Sequence, residues 1–169
     1  PGTGEIICTG GNKVAKESAQ AALSYARTHG HKYGIDPHRI KDLDLHIHIP
    51  LGADTPVGGS SGGGALTVAF ISALTNRAIR HNYAMTGTIN LQGQIGAIGG
   101  LDQKINGAHA SGMTHVIVPM ENKEDVEELY KQDKLPLDIK VIYAEHVDDI
   151  LSRVLLPAPP PARTQTAVA

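Results

Sequence analysis

Two adjacent serines stand among five glycines in the run Thr55-Pro56-Val57-Gly58-Gly59-Ser60-Ser61-Gly62-Gly63-Gly64, and an apolar, helix-compatible stretch from Ala65 to Leu74 follows at once. Glycines let a backbone turn sharply and come close to a ligand. The first amides of the helix that follows point unpaired donors forward. Such a loop suits a phosphate or a nucleophilic hydroxyl. A Walker-type phosphate loop needs a lysine beside the glycines, and none stands there. A dinucleotide fingerprint needs an acidic residue about 20 positions on, where the chain has Arg80, His81 and Asn82. The Gly-x-Ser-x-Gly pattern of a serine on a strand-to-helix turn is met in two overlapping frames, Gly58 to Gly62 and Gly59 to Gly63. On this ground Ser60 and Ser61 are equivalent.

A serine needs a base. A hydrolase triad would require a later acid and then a histidine on a larger sheet, and His109, His115 and His146 have no distinctive setting. A lysine serves instead if burial or neighbouring charge keeps its amine neutral. Lys104 meets this condition: Gly99-Gly100 opens a helix just before it, the positive helix end disfavours its charge, and Ile98, Leu101 and Ile105 are apolar neighbours. Lys123, Lys131 and Lys134 lie in a charged surface stretch.

The elements that must position these residues follow from periodicity and turn signals. Glu5 to Thr9 reads as a strand, and Asn12 as the cap of a helix from Val14 to Thr28 whose face carries Val14, Ala15, Ser18, Ala22, Tyr25 and Ala26. Gly34-Ile35-Asp36-Pro37 reads as a turn. Asp44 to Pro50 alternates with period 2, which places His46 and His48 on one face of a strand. The glycine loop leads into a helix from about Ser61 to Thr75, with Ala65, Val68, Ala69, Ser72 and Ala73 set to meet a neighbour. Tyr83 to Leu91 and Gln94 to Ile98 read as a hairpin turning at Gln92-Gly93. A helix from Leu101 to Ser111 ends at Gly112. Thr114 to Val118 and Ile139 to Tyr143 read as strands, Glu121 to Lys131 as an acidic surface helix, and Val147 to Leu155 as a last helix. The expectation is an α/β domain, a mixed sheet with one antiparallel hairpin.

The 169 residues, net charge −2, suit one domain with a real core and carry no basic stripe for nucleic acid. Trp is absent and Phe occurs once, so the core falls to Ile, Leu, Val and Ala. A single cysteine, Cys8, excludes an internal disulfide and suggests a reducing compartment. No apolar run approaches the ~18 residues of a membrane span, and the start lacks the pattern of a secretory signal. The chain begins at Pro1 rather than Met, which reads as an excised domain or processed product. Residues 157–169 are Pro/Ala-rich and read as a disordered tail.

Five segments together resemble, in order, the C-terminal proteolytic domain of the Lon ATP-dependent proteases: Lys16 to Leu23, His46 to Pro50, Ala84 to Gly87, Gly99 to Lys104 and Ile117 to Lys123. The resemblance spans roughly Thr3 to Leu156, so residues 1–156 read as one Lon-like domain. Laid on Thr55 to Gly63, the family's nucleophile motif Thr-Pro-Lys-Asp-Gly-Pro-Ser-Ala-Gly selects Ser61. Lys104, 43 residues downstream, then takes the place of the family's base.

The resemblance implies a serine endopeptidase with a Ser61-Lys104 dyad that acts on unfolded or damaged proteins. Thr86 matches a threonine that supports the lysine, and His46 and His48 match histidines beside the site. Gly59, Ser60 and Gly62 supply the loop and oxyanion backbone. It further implies a hexameric ring and a bacterial cytoplasmic or organelle-matrix setting such as the mitochondrial one, with no secretion, membrane or nucleic-acid partner. No metal or cofactor is expected in this domain. ATP and magnesium would belong to an AAA+ ATPase segment outside it. Val57 and Gly58 stand where the family has Lys-Asp, Ser60 where it has Pro, Gly62 where it has Ala and Thr88 where it has Glu, and Asp54 is an extra residue. These departures suggest a looser or differently gated loop. The alternative they raise is a degenerate Lon-like domain kept for assembly or partner binding, with little or no peptidase activity.

Overall fold

The computed structural model describes residues 2–49 and 59–159. The readings at Pro50, Asp54, Val57 and Gly58 and those for residues 160–169 lie outside them. β1 (Ile6–Gly10) leads to Asn12, whose Oδ1 accepts the Ala15 amide at 3.0 Å and starts α1 (Lys13–His29). A side-chain cap of this kind stabilises a helix by about 1 kcal/mol. α1 buries Ala15, Ala19, Ala22, Leu23, Tyr25 and Ala26, while Val14, placed on this face by periodicity, remains exposed. The expected turn near Gly34 is preceded by a 3-10 turn at Gly30–Tyr33 and followed by α2 (Pro37–Lys41). β2 (Leu45–Ile49) then pairs with β1 in parallel, Ile6 opposite Leu45 and Thr9 opposite His48. A parallel pair needs a crossover between its strands, and α1 provides it.

After a 3-10 turn at Ser60–Gly62, α3 (Gly63–Thr75) packs along α1. It buries Gly63, Gly64, Thr67, Val68, Phe70 and Ile71. Of the face expected from sequence only Val68 is buried; Ala69 and Ala73 are exposed. This helix is apolar nearly all round, so its sequence singles out no face. Asn76, at φ 53°, closes it.

The run from Tyr83 to Leu91 is two strands, not one. β3 (Tyr83–Met85) and β4 (Thr88–Ile89) are divided at Thr86-Gly87, and β4 forms a short antiparallel ladder with β5 (Ile95–Gly96). The expected hairpin is therefore present but reduced. α4 (Leu101–Ala110), β6 (His115–Pro119), α5 (Lys123–Lys131), β7 (Lys140–Ala144) and α6 (Val147–Val154) complete the order, with a 3-10 turn at Met120–Asn122 before α5. β3, β6 and β7 make a parallel sheet in that order.

From Val116 to Pro119 β6 is apolar and buried because both its faces are covered. Ile117 joins a cluster with Leu23, Tyr25, Ile71 and Ile150, whereas Val116 and Val118 join a second cluster with Ile105, Val126 and Ile139. The first is built on α1, α3 and α6, the second on α4 and α5. The Tyr25 hydroxyl donates to Asp148 Oδ1 at 3.1 Å and ties α1 to α6. The whole is an α/β arrangement of parallel sheets with one antiparallel pair, as the sequence implied. Among the described residues no helix is long and apolar enough to cross a membrane.

Candidate active site

A cavity of about 1040 Å³ opens between α1, α3, β3 and α4, and Ser61, Thr86 and Lys104 all line it. Residues 25 and 43 positions from Ser61 in the chain are thus gathered at one place. Gly59 and Gly62 also line the cavity; Ser60 does not. The two serines that the local pattern left equivalent are separated by the fold.

The backbone of Ser61 is held by the break between β3 and β4. Its carbonyl accepts the Gly87 amide at 2.9 Å and the Thr86 hydroxyl at 3.4 Å, while the Gly87 carbonyl accepts the Gly64 amide at 3.1 Å. The Thr86 hydroxyl therefore bonds the Ser61 backbone, although the resemblance assigned it to the lysine. This clasp needs close backbone approach. A Cβ at Gly63 would lie 2.8 Å from Ile89 Cγ2, and one at Gly87, whose φ is 156°, would lie 2.5 Å from Ile95 Cγ2. Gly87→Ala should combine backbone strain with crowding and destabilise the fold by about 2–4 kcal/mol in chemical denaturation. By shifting the Ser61 carbonyl it should also lower turnover by about 10²-fold. Both readouts should change together.

Ser61 does not act as a helix cap. Gly62 holds the N-cap position of α3 with no side-chain cap bond, and among the described residues the Ser61 hydroxyl makes no hydrogen bond. Nor does Ser60 cap: Gly59 precedes the 3-10 turn, again without a side-chain bond. The amides of Gly63 and Gly64 are committed to the carbonyls of Ser60 and Gly87. The 3-10 turn at Ser60–Gly62 engages the Gly62 amide with the Gly59 carbonyl, whereas the Ser61 amide has no backbone acceptor among the described residues. An unpaired amide of this kind is a donor that a developing oxyanion can use.

Lys104 is the fourth residue of α4, its amide bonded to the Gly100 carbonyl at 3.1 Å. Leu101 and Ile105 flank it in the apolar cluster. Burial pushes its amine below the ordinary lysine value; of the two causes the sequence suggested, apolar surroundings and the helix end, desolvation is the one that acts here. No carboxylate among the described residues lies within ion-pair distance of the amine to restore its charge.

Two residues that sequence reasoning passed over position α4. Asn122 is 3% exposed; its Oδ1 accepts the Ile98 amide at 2.9 Å, and its Nδ2 donates to the Ile98 carbonyl at 3.1 Å and to Asp125 at 2.9 Å. Glu121 Oε2 accepts the Ala97 amide at 2.9 Å. Together they fix the segment that leads into Gly99-Gly100 and Lys104. Both had been absorbed into an expected acidic surface helix. The available signal was a polar amide directly after an apolar strand, a position where burial demands hydrogen bonds.

His46 and His48 share a face of β2, as the alternation implied, and both ring systems meet the Thr9 hydroxyl, at 2.8 and 2.9 Å. These contacts are exposed, and neither histidine lines the cavity. The fold does not bring them to Ser61.

The family model of the Lon protease (S16) C-terminal proteolytic domain matches residues 1–157. The chain is 43% identical over 158 residues to a Lon protease of Desulfatibacillum aliphaticivorans, covering 93% of the chain and 19% of that protein. It is 44% identical over 151 residues to a Lon protease of Lawsonia intracellularis, covering 89% and 18%. It is 41% identical over 157 residues to Lon protease 1 of Bacillus subtilis, covering 92% and 20%. The chain spans about a fifth of the length of the curated relatives it matches.

Proposed function

The chain belongs to the family of Lon protease C-terminal proteolytic domains, and from that premise we propose that it hydrolyses peptide bonds by a Ser61-Lys104 dyad. The observation that carries the reading is one cavity lined by a serine whose hydroxyl makes no hydrogen bond among the described residues and by a lysine whose amine burial pushes below its ordinary value. The neutral Lys104 amine takes the Ser61 proton as Oγ forms a bond to the substrate carbonyl carbon. The Ser61 amide donates to the oxyanion. Collapse breaks the carbon–nitrogen bond, and the Lys104 ammonium returns its proton to the leaving amine, which leaves an acyl ester on Ser61. A water molecule then attacks the ester, its proton passes to Lys104 and on to Ser61, and the acid product departs. Thr86 and Gly87 keep the Ser61 carbonyl fixed through the cycle.

Substrates under this reading are unfolded polypeptide segments, since only an extended chain presents its backbone inside a cleft between helices. Assembly as a hexameric ring and coupling to an AAA+ ATPase segment are part of the same proposal and rest on the family relationship. A fluorophosphonate probe tests the chemistry directly. Ser61 Oγ should displace fluoride and retain the phosphonyl group, fragmentation should locate it on Ser61, and Lys104→Ala should slow labelling. An adduct on Ser60 would overturn the assignment. No adduct and no cleavage in the intact protein would favour the assembly or partner-binding role that the substituted loop residues raise.

A further inference from the structure

The ladder between β4 and β5 has two residue pairs, Thr88 with Gly96 and Ile89 with Ile95. A two-stranded ladder this short holds no position by itself. Its isoleucines nevertheless press on the clasp around Ser61. The nearest atom to a Cβ placed at Gly63 belongs to Ile89, and the nearest to one placed at Gly64 or Gly87 belongs to Ile95. Whatever anchors this hairpin therefore helps to set where the Gly87 amide meets the Ser61 carbonyl.

The anchor is the start of α6. Two of its bonds run between main chains and survive any side chain at position 146: the Ile95 amide donates to the Glu145 carbonyl, and the Val147 amide to the Gly93 carbonyl, both at 2.8 Å. The third belongs to a side chain. His146 Nδ1 accepts the Asp148 amide at 3.1 Å, and His146 Nε2 lies 2.9 Å from the Gln92 carbonyl oxygen in the hairpin turn. An amide N–H donates and a carbonyl accepts, so the two contacts together place the ring proton on Nε2. The ring is held from several sides. Asp149 Oδ2 accepts the His146 amide at 3.0 Å and completes a capping box, buried Tyr25 meets the imidazole edge-on at 5.9 Å, and a Cβ at Gly93 would come within 2.6 Å of Nε2. One nitrogen caps α6 and the other grips the hairpin.

We infer that His146 is a positioning residue for the reaction at Ser61: its Nε2 proton holds the Gln92-Gly93 turn, and the hairpin so held keeps Gly87 against the Ser61 carbonyl. The effect on turnover rests on the dyad reading, whereas the effect on Gly87 does not. Two variants of the intact protein separate the two nitrogens. His146→Asn keeps an acceptor near the place of Nδ1, as a good cap does, but its short side chain does not reach Gln92. His146→Gln offers a donor near the place of Nε2 and is a poor cap. His146→Asn should speed amide hydrogen exchange at Gly87 by about 10-fold and lower kcat on an unstructured polypeptide by about 10-fold, with KM within about twofold. His146→Gln should lower Tm by about 2–4 °C through the lost cap, yet keep Gly87 exchange and kcat within about threefold of the parent. If instead His146→Asn keeps full turnover while His146→Gln is impaired, His146 is a helix cap only and the inference is overturned. Equal Gly87 exchange in all three proteins overturns it as well. If exchange at Gly87 rises in His146→Asn alone but the parent protein cleaves nothing, the grip stands and the peptidase reading falls.

Discussion

Ser61→Ala should lower cleavage of an unstructured polypeptide by at least about 10⁴-fold in kcat, whereas Ser60→Ala should leave it within about twofold. The two serines are neighbours with the same chemistry, so the contrast tests placement alone. Ser61 lines the cavity with Lys104 and has its carbonyl held by Gly87. Ser60 heads an exposed 3-10 turn and does not reach the cavity. Alanine at 60 also keeps the backbone carbonyl that the Gly63 amide uses. Equal losses in the two variants would mean that the loop acts as a unit and that neither hydroxyl is the nucleophile. Circular dichroism of both variants shows whether the fold is kept.

Lys104→Ala should lower kcat by about 10²–10⁴-fold, and Lys104→Arg should give no rescue, because a guanidinium does not release its proton in the working pH range. The pH profile carries the second part of this prediction. Burial places the amine below its ordinary value, so kcat/KM should rise with pH as the amine loses its proton and level off below the usual lysine range near 10.4. A profile flat from neutral pH upward that also persists in Lys104→Ala would remove the lysine from the mechanism. The same group acts on stability with a definite sign. Its folded pKa lies below its unfolded one, so the unfolded chain binds the proton more tightly, and stability rises with pH between the two values. The penalty is complete below the folded value and gone above the unfolded one. Lys104→Met should flatten this part of the stability curve while abolishing turnover.

Local signals made much of the fold legible. Asn12 marks the start of α1, Gly100 the start of α4, and the alternation of Leu45 to Ile49 a strand whose histidines share a face. Caps, turns and period-2 patterns act between near neighbours, so a single segment contains them. Tyr83 to Leu91 shows the limit. Its β-forming residues run without pause, but β3 pairs with β6, more than 30 positions on, and the chain breaks at Gly87 to make that exchange. A pairing partner is not written into the strand that seeks it. In α3 the apolar residues surround the helix, and only contact with α1 and β4 decides that Thr67 and Val68 are buried while Ala65 and Ala69 line the cavity.

For the site, the sequence by itself determined the chemical inventory: a glycine loop with two hydroxyls ahead of a helix, no lysine beside it to bind phosphate, and one lysine in an apolar setting downstream. Resemblance to the Lon proteolytic domain selected Ser61 between the two hydroxyls. Tertiary structure decided which groups share a space. It brought Ser61, Thr86 and Lys104 to one cavity, directed Thr86 to the Ser61 carbonyl, left His46 and His48 on an exposed strand, and made Asn122 and Glu121 the support of the lysine helix. The physical reason is the same in each case. Residue type fixes what a side chain can donate, accept or exclude, whereas burial and distance between remote segments depend on how α1, α3, α4 and the three-stranded sheet pack together.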